Sequence, residues 1–205
     1  MRRIILVPVG HVFAESVEKV RSAIDSIKPD AVAVELCPSR FYALSGRKKT
    51  DYKALLRSRL FFAAILSFVQ DKIARDLGVS AGEEMLAAVE EAKKRGLPAL
   101  FIDRDIRETM DRLSSVSLRE KLRLFFSIRG KGAISIEDLK DQGTIDSLIL
   151  ELKNSVPNIY RALIEERDFI MSERLKHAEF ETIVAVVGAG HLPGMKRFLS
   201  APAKE

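Results

Sequence analysis

The sequence predicts an α/β fold: a largely parallel central sheet with helices on both faces and a helical insertion or cap. Three observations carry this. Four short runs rich in Val, Ile and Ala lie far apart along the 205 residues. The intervals between them are mostly helical in period. One of the runs, AVAVEL over 31–36, is apolar at nearly every position, as in a parallel strand covered on both faces.

In chain order, Arg3 to Pro8 forms the first expected strand, closed by Pro8 and Gly10. Val17, Val20, Ile24 and Ile27 recur at spacings of three and four, which predicts an amphipathic helix over 14–27. Ala31 to Leu36 is the second strand. A short helix is expected over 38–45, and a long helical pattern over 51–77. Ser80 is placed to cap the next helix, which runs to Arg95 with Gly96 just past its end. Leu97 to Ile102 is the third strand. Helices follow over 106–126 with a break near Ser114-Ser115, then a loop at Arg129-Gly130-Lys131-Gly132. Ser135 starts a further helix, and helical patterns run from Thr144 to about Lys176 with a restart at Ser155 and Pro157. Thr182 to Val187 is the last strand, followed by a short helix to Leu199. The chain reads as a single domain over 1–205, with helical insertions over about 38–96 and 106–176.

Composition narrows the classes of function. The chain is 47% hydrophobic and 31% charged, an ordinary balance for a molecule with a core. One cysteine, Cys37, rules out an internal disulfide and asks for no oxidising compartment. The net charge of +5 permits contact with nucleic acid, but the basic residues are interleaved with acids, and the local cluster Arg47, Lys48, Lys49 and Lys53 reads as a solvated loop. No nucleic-acid partner is expected. The longest apolar run, Leu60 to Val69, is too short to span a bilayer. The expected setting is therefore cytoplasmic, with membrane association only through segments beyond this chain. A helix apolar all round is usually buried, but if exposed this run would mark a contact, and a homodimer is the expected assembly.

Polar chemistry gathers at the strand ends. The first strand leads to Gly10-His11, the second ends at Glu35 with Arg40 shortly after, the third ends at Asp103-Arg104, and the last leads through Gly188 to His191. Ligands of parallel sheets sit beyond the carboxyl ends of the strands. If all four strands are parallel, His11, Glu35, Asp103 and His191 share one edge and converge. Imidazole and carboxylate are the usual ligands of Mn, Co, Zn and Fe. An adjacent Arg40 or Arg104 would hold a carboxylate or developing negative charge. Simpler roles compete: Glu35 pairing with Arg40 or Arg104, and Asp103 capping the helix from Ile106. His177 lies on a polar stretch and is given no role, and Cys37 reads as a small packed residue.

Six segments, taken in order, resemble the TraB/Tiki family, which includes pheromone-shutdown proteins. They are Val9-Gly10-His11-Val12-Phe13-Ala14-Glu15-Ser16, Val34-Glu35-Leu36-Cys37-Pro38-Ser39-Arg40, Gly82-Glu83-Glu84-Met85, Ile102-Asp103-Arg104-Asp105-Ile106, Glu166-Arg167-Asp168, and Val187-Gly188-Ala189-Gly190-His191-Leu192-Pro193-Gly194. The resemblance implies an α/β fold related to erythromycin-esterase-like and ChaN-like proteins. In the Tiki branch, two Gly-x-x-His motifs belong to a protease that uses Mn or Co. His191 matches, with Gly188 three residues before it; at His11, Pro8 stands where the motif has glycine. By motif, Glu35, Arg40, Glu84, Arg104 and Arg167 are the other implied site residues. Many TraB-branch members continue into membrane-spanning segments, so the resemblance is to their soluble part.

The expected function is divalent-metal-dependent hydrolysis of a peptide or small-molecule substrate, with Mn or Co favoured over Zn. His11 and His191 would bind metal together with Glu35 or Glu84, and a remaining acid would act as general base. The alternative is a non-catalytic module that holds a peptide or small anion through Arg40, Arg104 and Arg167.

Overall fold

The computed structural model describes residues 2–9, 13–46, 83–130 and 141–201. His11, the basic cluster at Arg47 to Lys53, the apolar run Leu60 to Val69, Ser80, and the helix start at Ser135 lie outside the described residues.

Strand β1 (Arg3–Val9) leads to α1 (Phe13–Ile27), then β2 (Ala31–Val34) and α2 (Pro38–Leu44). Helix α3 (Glu83–Lys94) leads to β3 (Ala99–Phe101). A helical block follows: α4 (Ile106–Ser115), α5 (Leu118–Gly130), α6 (Gln142–Ser155) and α7 (Pro157–Tyr160). A π-helical turn over Arg161–Glu165 joins α7 to α8 (Glu166–His177). Strand β4 (Thr182–Gly188), a 3₁₀ turn at Ala189–His191 and α9 (Leu192–Ser200) complete the described chain.

The sheet order is β1-β4-β2-β3, and every pairing is parallel. The last strand is thus inserted between the first two. Val9 aligns with Gly188, and Val34 aligns with both Val186 and Phe101. All strands therefore present their carboxyl ends at one edge.

Alternation along the strands divides the core. Val32, Val34, Val184 and Val186 face α1 and α3, meeting Val20, Ile24, Met85, Ala88 and Ala92. Ala33, Ile183, Ala185 and Val187 face the other way, meeting Met171 and Leu175 of α8 and Met195 of α9. With apolar neighbours on both sides, β2 and β4 have no need for polar residues at alternate positions. A third cluster, Leu113, Val116, Val156, Ile159 and Ala162, packs the helical block on itself.

Several local expectations are corrected. The helical break falls at Val116-Ser117, because Val116 is extended (φ −64°, ψ 143°) and buries its side chain in the third cluster. Arg129 and Gly130 belong to α5 and not to a loop. Asp103 caps no helix: the cap of α4 is Asp105, whose carboxylate accepts from Arg107 N–H at 2.8 Å.

Candidate functional site

Strand hydrogen bonding carries on past the ends of β2 and β3 and fixes two acids. Glu35 N–H donates to Val186 O at 3.1 Å, and Asp103 N–H donates to Leu36 O at 3.1 Å. Both side chains then stand at the carboxyl edge, almost wholly buried. Glu35 Oε2 turns over the end of β4 and accepts from Gly188 N–H at 2.7 Å. A Cβ at residue 188 would lie 3.2 Å from that oxygen, so glycine lets the carboxylate approach the backbone closely.

Arg167, in the first turn of α8, joins the two acids. Its Nε and Nη2 donate to Asp103 Oδ1 (3.0 Å) and Oδ2 (2.9 Å) as a two-pronged fork. The same Nη2 also donates to Glu35 Oε1, and Nη1 donates to Leu163 O at 3.0 Å. Bidentate charged pairs of this kind are the strong, geometrically specific ones. The expected pairing of Glu35 with Arg40 or Arg104 is therefore replaced by a pairing with Arg167. Helix α8 runs alongside the sheet and brings its first turn to the strand ends, whereas Arg104 points into the helical block. There it bonds Glu166 Oε2 (2.7 Å), Thr109 Oγ1 (2.9 Å) and Ala162 O.

His191 follows β4 through the 3₁₀ turn and is buried. Its Nε2 lies 3.1 Å from Glu35 Oε1, and its Nδ1 lies 2.6 Å from Asp168 Oδ1. One ring thus sits between two carboxylates on different elements.

The electrostatics follow from that crowding. Burial works to raise the Glu35 carboxyl, but the charges of His191 and Arg167 and the hydrogen bonds from His191 and Gly188 hold it well below the usual range. Burial works to lower His191; the Glu35 charge and the hydrogen bonds to Asp168 and Glu35 push it up to about 9. Burial would also lower Arg167, yet Glu35 and Asp103 raise it. Asp168 is raised, chiefly by burial, against the pull of its hydrogen bond with His191.

A sequence model of the TraB/PrgY/gumN family matches residues 2–205. The chain belongs to the TraB/PrgY/gumN family. An uncharacterized protein of Methanocaldococcus jannaschii is 36% identical over 213 residues, covering 96% of this chain and 53% of that protein. TraB domain-containing proteins of Bos taurus and Homo sapiens are each 25% identical, covering 95% of this chain and 62% of their own length. The chain spans between about half and three-fifths of the length of these curated relatives.

Of the site residues read from the sequence of this family member, the structure joins Glu35, Asp103, Arg167 and His191 in one connected group. Arg104 adjoins it through its neighbour Asp103, whose Oδ1 accepts the Arg104 backbone N–H at 2.9 Å. Glu84, half-buried, lies at the start of α3. That helix runs back to the beginning of β3, so its start is on the carboxyl side of the sheet. Arg40, half-buried on α2, makes no ion pair among the described residues. His11 lies outside the described residues, two positions after Val9 at the end of β1.

Three participants went unassigned from sequence. Asp168 falls within the Glu166-Arg167-Asp168 motif, which by itself assigns it no role. Its signal was its register: with Met171, Ser172 and Leu175 it forms the buried stripe of α8, an acid on a core face. Arg174, which donates to Asp103 O, and Gly194, which packs on Asp168, left no comparable trace.

No helix among the described residues is long and apolar enough to cross a membrane.

Proposed function

We propose that this chain is a divalent-metal-dependent hydrolase, with peptides as the substrate class, in which Glu35 and His191 are the protein ligands drawn from the described residues. The observation that carries the reading is the facing pair itself. Glu35 Oε1 and His191 Nε2 lie 3.1 Å apart. Each is backed by a second partner, Gly188 N–H for Glu35 and Asp168 for His191.

The donor set fits such an ion in part. Nitrogen and carboxylate donors suit Mn, Co and Zn. Two ligands each about 2.1 Å from one ion stand roughly 3 Å apart when adjacent. A third donor is wanting: among the described residues no group of three or more His, Cys, Asp or Glu is placed to hold a metal. His11 and Glu84, expected from the sequence, are the candidates to complete it.

A bound divalent ion would acidify a water molecule and polarise a carbonyl. The chain's own residues do the rest. His191 and Arg167 together keep Glu35 ionised, Asp103 fixes the plane of Arg167 through its fork, and burial excludes bulk water from the pair.

The alternative, an anion-binding module without turnover, draws less support. Arg104 and Arg167 already direct their N–H groups to internal carboxylates, a hydroxyl and carbonyls. Of the three arginines that reading needs, Arg40 is the one with no such ion pair among the described residues.

Metal content and Mn or Co titration of the purified chain test the proposal, with His11→Ala, His191→Ala and Glu35→Gln alongside. The wild type is expected to bind, and the His11 and His191 variants to lose binding altogether. A wild type that ignores both ions defeats the reading.

A further inference from the structure

A histidine ring can turn about its side-chain bonds and can carry a single proton on either nitrogen, so facing a partner does not by itself fix which nitrogen is available. The surroundings of His191 remove that freedom from the side away from Glu35. Asp168 is 1% exposed and sits on the buried stripe of α8. Its Oδ1 lies 2.6 Å from His191 Nδ1. Its other oxygen is wedged against α9: an ideal Cβ at residue 194 would fall 1.8 Å from Oδ2 and 2.7 Å from Cγ. No φ in the left-handed region calls for glycine at 194, and glycine weakens a helix. The carboxylate of Asp168 is therefore the reason that position carries no side chain.

We propose that Asp168 is the positioning residue of the site: it holds the Nδ1–H of His191, commits Nε2 to the Glu35 side, and is itself seated by the absence of a side chain at Gly194. Partners of this kind behind a ligating imidazole fix its tautomer and plane, and their loss typically costs about 10–100-fold in metal affinity. The purpose assigned to the positioning rests on the metal reading above; the positioning itself does not.

Long-range ¹H–¹⁵N correlation of the metal-free chain reads the ring directly, with His191→Gln identifying its signals. The wild type is expected to show a protonated Nδ1 with a low-field, hydrogen-bonded proton. Asp168→Asn, nearly the same size, is expected to lose that low-field signal and to bind Co about 10–100-fold more weakly. His177→Ala should change neither. Gly194→Ala approaches the same carboxylate from α9 and is expected to reproduce the loss. Its destabilisation should largely vanish in an Asp168→Ala background, where the clash is gone.

Absence of the low-field Nδ1 proton in the wild type overturns the proposal, even if no variant folds. So does its persistence in folded Asp168→Asn or Gly194→Ala. A wild type that shows the signal but ignores Co and Mn removes the metal reading and supports the positioning one.

Discussion

At the residue scale, the chemistry of the site comes from one imidazole and one guanidinium shared among three buried acids. The sign of its pH dependence follows. His191 holds its proton up to about 9 in the folded chain, against about 6.5 in an unfolded one. The folded state thus binds a proton that the unfolded state has released, and stability from this group is full below about pH 6.5 and lost as pH rises through about 9. Glu35 runs the other way. Its folded value is depressed, so its contribution is present above the ordinary carboxylate range, about 4.3, and fades as pH falls below it. Urea midpoints of the metal-free chain should therefore decline on the alkaline side between about pH 7 and 9.5. His191→Gln should flatten that decline; an equally steep decline in the variant would detach it from this ring.

At the element scale, a few groups decide where helices begin and what their ends hold. Asp105 caps α4 and also accepts from Ser39 Oγ at 2.9 Å, tying α4 to the start of α2. Asp105→Ala should cost about 1 kcal/mol in chemical denaturation, the usual cost of a lost cap, and leave the site intact. Asp103→Ala should cost more, because it strips the fork from a buried Arg167. Equal losses from the two would mean that the fork on Arg167 contributes no more than a helix cap. The π turn over Arg161–Glu165 is a second such device. Two of its carbonyls, Ala162 O and Leu163 O, accept from Arg104 and Arg167, so the widened turn receives both guanidiniums just before α8 begins. Apolar spacing does not reveal it, because α7 before it is a single turn of four residues, too short to set a period that an extra residue could shift. By contrast, the strands were legible: all four lie where apolar runs bounded by Pro, Gly or charge placed them, within one or two residues at each end.

At the scale of the whole molecule, Arg167 links the ends of β2 and β3 to α8, and α8 in turn fills the core with Met171 and Leu175. One helix thus carries both the centre of the site and part of the sheet's cover. Arg167→Ala would leave Glu35 and Asp103 buried without their shared cation. Its expected cost is about 3–5 kcal/mol, read from denaturant unfolding. Arg167→Lys should recover only part of this, since an ammonium cannot reproduce the fork. A loss below about 1 kcal/mol would mean the cluster is solvated and contributes like a surface pair.

Read alone, the sequence determined the α/β class, the polar residues that close each strand, and the family, because apolar period, strand-end acids and ordered motifs are local properties of the chain; that the strands run in one direction was decided by their pairing. Strand ends and motifs also singled out Glu35, Asp103, Arg167 and His191, which the structure joins in one connected group. Which acid meets which cation was decided only by tertiary structure. The insertion of β4 between β1 and β2 brings Gly188 and His191 over Glu35, and the seating of α8 sends Arg167 to the strand ends while Arg104 turns into the helical block. Partner choice among buried charges depends on distances of a few ångströms between elements far apart in sequence, and strand order is not written in any one strand.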